Sequence, residues 1–236
     1  MNFDEVSANT LKHLIDASAA IRERVTAKGG QVRYTAYGSH GTEVLIGDES
    51  KWPTYTNYTQ GYAKMRLESI AEAAWKQGVY ATVFNFPEIR TNSSDIFVGV
   101  ELSLFPLLTA LKKEGGSEWA QAQWDACQAL LGEGVSLQSI LDKLENYLQT
   151  DTSAGFRNYE AWPMDNTPEL ADLMIGTSDE ITSLHTDRKA LVTDHLSALV
   201  VDATGPLMFH GAAEKIAPVL WLNHDIIARQ LNELHK

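Results

Sequence analysis

Two histidines of this chain stand two residues before a hydroxyl side chain: His40 before Thr42 in "SHGTEVLIGD", and His195 before Ser197 in "DHLSALVVDA". On a β-strand, residues two apart share a face, so each imidazole and its hydroxyl would converge on one pocket as an acid or base beside an anchoring O–H. The bland alternative makes His40 the tip of a hairpin. It also places His195 on a helix, where residues two apart point to nearly opposite sides. Three acids between positions 88 and 101, Glu88, Asp95 and Glu101, offer a second acid/base pair, since two carboxylates in a cleft need no linear motif.

The paired His-x-Thr and His-x-Ser elements resemble the pattern of the 2H phosphoesterases. That resemblance implies a hydrolase with His40 and His195 as base and acid, and with Thr42 and Ser197 holding phosphate. It rests on these few residues alone. Seven histidines among many Ser and Thr bring two such matches near chance, and 31 acidic against 19 basic residues, a formal charge of -12, disfavour a phosphate ester.

Metal ligation is a further option in "LHTDRKALVTDH", where His185, Asp187, Asp194 and His195 are all possible donors. Metal motifs set two ligands on one helical turn or in a close pair, and that spacing is absent, so no metal is expected. Cys127, the only cysteine, lies in the helical pattern "WAQAQWDACQALL" without a basic neighbour and reads as a buried thiol. The chain holds no P-loop, G-x-G-x-x-G, G-x-S-x-G or H-E-x-x-H, and nothing in it calls for a cofactor.

The most unusual composition is "KWPTYTNYTQGY", where Trp52, Tyr55, Tyr58 and Tyr62 alternate with Thr, Asn, Gln and Pro. Amphipathic rings among small amides and hydroxyls suit a recognition surface, because they give contact area at little entropic cost. The polar loop "PEIRTNSSD", with Arg90, would flank it. Packing of Trp52 and one tyrosine as a staple under the hairpin is the structural alternative.

These residues need a scaffold, and 236 residues with 44% hydrophobic and 21% charged content suffice for a globular core. A helix is predicted over "SANTLKHLIDASAAIRERVTAKGG", strands over "QVRYTAY" and "TEVLIG" joined by "GSHG", a helix from about Thr59 to Gln77, then strands over "VYATVFNF" and "DIFVGVELS". This order predicts an α+β fold, with a small, mostly antiparallel four-stranded sheet and packed helices in residues 1–114. Residues 115–236 read as mainly helical, the strongest helix being "SLQSILDKLENYLQ" with Ser136 as its cap.

No stretch approaches the ~20 apolar residues of a membrane span, and the start "MNFDEVSANT" lacks the basic and apolar regions of a secretory signal. The expected protein is cytoplasmic, a monomer or homodimer that binds neither nucleic acid nor membrane. It would act as an inhibitor, immunity-type or adaptor protein, recognising a protein or a small ligand through its aromatic loop and an acidic surface suited to steering a basic partner. The phosphoesterase is the alternative.

Overall fold

The computed structural model describes residues 4–38, 44–46, 49–51, 59–91, 99–114, 117–151 and 168–236. By contact density the chain divides into two compact units, one of residues 1–40, 58–85 and 206–221, the other of 41–57, 86–205 and 222–236.

The first unit is a βαβ arrangement. A π-helical turn, Glu5–Asn9, leads into α1 (Thr10–Ala17) and α2 (Ala19–Thr26), followed by β1 (Tyr34–Tyr37), α3 (Thr59–Lys76) and β4 (Ala81–Asn85). Strand β5 (Val219–Trp221) completes a sheet of order β1-β4-β5, parallel at both pairings, with Tyr34 opposite Ala81 and Val83 opposite Val219. All five residues of the central strand β4 are buried, which is why "ATVFN" is a near-continuous apolar run and not an alternating one. Ala8, Leu11, Ile15, Leu67, Ala71 and Ala74 pack the helices against this sheet. Gly211 permits one close approach, because a Cβ there would lie 2.7 Å from Phe84 Cε1.

The mostly antiparallel four-stranded sheet is not what forms. β1 pairs in parallel with β4, its crossover being α3, and does not form a hairpin with the next strand. That next strand, β2 (Val44–Ile46), pairs instead with β3 (Glu49–Lys51) as a separate antiparallel ribbon. In the run "DIFVGVELS", Gly99 turns the chain with φ 111° and Val100–Leu104 is a helix, α4, all five of whose residues are buried. Branched and apolar side chains here serve burial on every side, and burial of a short run does not distinguish helix from strand.

The second unit is helical apart from the ribbon. It contains α4, α5 (Pro106–Lys113), α6 (Glu118–Gln128), α7 (Leu137–Leu148), α8 (Pro168–Ser183) and α10 (His224–Leu234). Caps set their starts: Ser117, Ser136 and Asn223 each accept a backbone N–H of the first turn. Helix α9 (Val192–Glu214) carries Pro206 inside it, where the missing N–H removes one helical hydrogen bond. Among the described residues no helix is long and apolar enough to cross a membrane.

Candidate functional site

Open α/β sheets bind ligands beyond the carboxyl ends of their strands. In the first unit that edge, at the ends of β1 and β4, collects a set of polar groups. Lys64, in the second turn of α3, donates from Nζ to the Tyr37 carbonyl at 2.9 Å and lies over the Tyr37 ring at 5.1 Å. Burial of its ammonium pushes the Lys64 pKa down. One turn later on the same helix, Glu68 accepts a hydrogen bond from Asn85 Nδ2 at 2.5 Å. Asn85 ends the central strand and is fully buried. Gly38 follows β1, donates its N–H to the Phe84 carbonyl at 2.8 Å, and sits so close that a Cβ on it would lie 1.8 Å from Asn85 Oδ1. This edge therefore presents a partly desolvated cation and an oriented amide beside a glycine with no room for a side chain. Such groups bind or stabilise an oxyanion or a hydroxyl.

A groove of ≈ 700 Å³ in the same unit runs between α1, α2 and α3, with Ile15, Met65, Ile70 and Ala74 in its lining. Its charges are largely committed: Lys12 pairs with Asp16, and Arg22 donates to the Ile15 carbonyl and the Tyr34 hydroxyl.

The second unit holds a different cluster. Glu88 Oε2 is buried and has no hydrogen-bond partner among the described residues, while Glu101 is buried and accepts from Ser178 Oγ at 2.5 Å. Burial, together with the nearby charge of Glu101, pushes the Glu88 carboxyl up to about 7. Arg90 is bound to the start of α9, its backbone N–H donating to Ser197 Oγ at 2.8 Å and its guanidinium to Asp194 at 2.7 Å.

His40 and Thr42 lie outside the described residues, as do Trp52, Tyr55, Tyr58 and Asp95. Tyr62 falls in the first turn of α3, two residues before Lys64. His195 and Ser197 occupy helix α9 and part company there. His195 Nε2 meets Gln123 Oε1 at 3.0 Å, whereas Ser197 donates to the Thr193 carbonyl and accepts from Arg90. Burial pushes the His195 pKa down. His185 accepts the Val192 N–H on Nε2 at 3.1 Å and, with Nδ1 facing the Ile181 carbonyl at 3.1 Å, serves as a polar cap on α9. Cys127 is buried, and burial pushes its thiol up to about 12, which disfavours the reactive thiolate. Lys64, Glu68 and Asn85 were not singled out in the sequence. The one available signal was Asn85, a polar residue closing an otherwise apolar strand.

Comparison with known proteins supplies the class of chemistry. Residues 1–231 match the model of the family described as "Enoyl-acyl carrier protein reductase FabMG". No curated protein matches. A solved chain described as the apo structure of FabMG, a novel type of enoyl-acyl carrier protein reductase, is 68% identical with a TM-score of 0.92, over 100% of this chain and 53% of that one. An NADH-bound structure of FabMG is 61% identical with a TM-score of 0.78, over 97% of this chain and 55% of that one. The chain thus spans about half the length of the solved chains it matches. These relationships overturn two expectations. An inhibitor or adaptor acting by protein binding, and equally a phosphoesterase, give way to a family of reductases, and the expected protein partner loses its support. The reason is that neither reading had a motif behind it, only the composition of one loop and two short matches. On a match that runs through almost its whole length, this chain belongs to the FabMG family of enoyl-acyl carrier protein reductases.

Proposed function

We propose that this chain serves the NADH-dependent reduction of a 2-enoyl thioester carried on acyl carrier protein, in the cytoplasm. The observation that carries the reading is the family match over residues 1–231, joined to the NADH held by a relative 61% identical. The carboxyl edge of β1 and β4 fits such a group in part. Among the described residues Lys64 commits one of its three donors, to Tyr37, which leaves donors for a hydroxyl or carbonyl oxygen, and Gly38 adds no side-chain bulk beside Asn85.

When bound, the nicotinamide supplies a hydride to the enoyl double bond. The chain's own work is then electrostatic. Negative charge builds on the thioester oxygen as the double bond is reduced, and a fixed, partly desolvated ammonium at Lys64 stabilises that charge more strongly than water does. Its lowered pKa also makes the Lys64 proton easier to give up.

The test is direct. Purified protein should bind NADH in calorimetry and consume it, by loss of NADH absorbance, only when a 2-enoyl thioester is present. Binding without turnover points to a missing part of the active site, and absence of both refutes the proposal.

A further inference from the structure

The reading of this edge as the reacting site raises the question of what holds Lys64 and the turn after β1 in place, and the following inference rests on that reading. Lys64 and Glu68 stand four residues apart on α3, the spacing at which opposite charges usually pair on a helix surface. Here they do not pair. Lys64 reaches the end of β1 at the Tyr37 carbonyl, while Glu68 reaches the end of β4 at Asn85 Nδ2. One helix face is thereby fastened to two adjacent strand ends.

Asn85 links the two. It is fully buried, its amide nitrogen is held by Glu68, and its amide oxygen fills the space that a side chain on residue 38 would need. Loss of the Glu68 carboxylate would remove the acceptor opposite Asn85 Nδ2, and a buried amide that loses one of its bonds readjusts to recover it, because an unmet donor in the interior is expensive. That readjustment would press on the Gly38 turn, which has no spare volume on that side.

We propose that Glu68 is a positioning residue of the reductase site. Through Asn85 it fixes the Gly38 turn and holds α3 in the register that places Lys64 at the end of β1. The carboxylate touches no reacting atom in this scheme.

Glu68→Ala should lower kcat by roughly tenfold or more, since sub-ångström misplacement at a site is costly, with KM for NADH little changed. Glu68→Gln keeps an acceptor and should retain most of the activity. A charge exchange gives the sharper readout. Asn85→Asp alone sets two carboxylates face to face and should lose activity, whereas Asn85→Asp combined with Glu68→Gln restores a donor opposite an acceptor and should recover a substantial part of it.

Amide exchange at Gly38, whose N–H is bonded to Phe84, reports the turn independently of catalysis. Its protection should fall in Glu68→Ala and return in Glu68→Gln. Unchanged kcat and unchanged Gly38 protection in Glu68→Ala would overturn the proposal, as would failure of the double variant to exceed Asn85→Asp. Should the unmodified protein neither bind NADH nor reduce an enoyl thioester, the functional reading fails. The positioning network is then judged on Gly38 exchange alone.

Discussion

The two polar clusters of this protein solve the burial of charge in opposite ways. At the carboxyl edge of β1 and β4, each group has a partner of complementary kind: Lys64 a carbonyl, Glu68 an amide, Asn85 a carboxylate. In the second unit, Glu88 and Glu101 are like groups in one buried region, with one oxygen of Glu88 meeting no partner among the described residues. A satisfied arrangement is preorganised and insensitive to moderate changes of pH. An unsatisfied one stores electrostatic cost that varies with protonation. The difference teaches that the first cluster holds its geometry as pH changes, whereas the second contributes to stability in a pH-dependent way.

Removing the cation should break the first cluster most severely. Lys64→Met is expected to cost roughly two orders of magnitude in kcat with 2-enoyl thioester, the scale seen when a charge-stabilising donor is lost. Measurement of kcat and of NADH affinity separately would show whether the loss lies in the chemical step. Gly38→Ala forces a methyl group against Asn85 Oδ1 and is expected to destabilise the fold by about 2–3 kcal/mol, seen as a shift of the denaturation midpoint at constant slope.

The second cluster is read by pH. The Glu88 carboxyl is raised from an ordinary 4.5 to about 7 in the fold, so between those values the folded state holds a proton that the unfolded chain has lost. Stability therefore falls as pH rises from about 4.5 to 7 and is level above that window. The residue as a whole is only partly buried, which tempers the effect to on the order of 2 kcal/mol. Glu88→Gln should flatten the profile and stabilise the protein at pH 8, as thermal melts across this range would report. A steeper fall in the variant than in the parent would contradict the assignment.

The smallest effect is expected at Arg90. Its ion pair with Asp194 is partly exposed, with the Asp194 side chain 45% accessible, so Arg90→Met should cost about 0.5–1 kcal/mol. The Ser197 bond to the Arg90 backbone is untouched by that change.

Parts of this layout were legible because they depend on neighbours along the chain. Ser136 before "LQSILDKLENYL" marks a helix start by its hydroxyl, and the structure caps α7 with it at 3.1 Å to the Ser139 N–H. The strand in "VYATVFNF" was also legible from its branched and aromatic residues. The hairpin expected from two strands joined by "GSHG" does not form, although the helix from Thr59 followed by a fully buried strand is itself the pattern of a parallel crossover. Lys64 and Glu68, spaced four apart on a mixed helix, have the sequence appearance of an ordinary surface pair.

By itself, then, the sequence determined what short-range interactions determine: the capped helices, the buried character of β4, the lone thiol and the absence of a long apolar span. Strand pairing was decided only in three dimensions, because a hydrogen-bonding edge accepts any strand whose register buries its side chains, and the winning partner of β1 lies beyond a whole helix. The candidate site was decided there too. Lys64, Glu68, Gly38 and Asn85 come from two strand ends and one helix face, and their chemistry exists only once the parallel pairing of β1 with β4 sets those ends side by side.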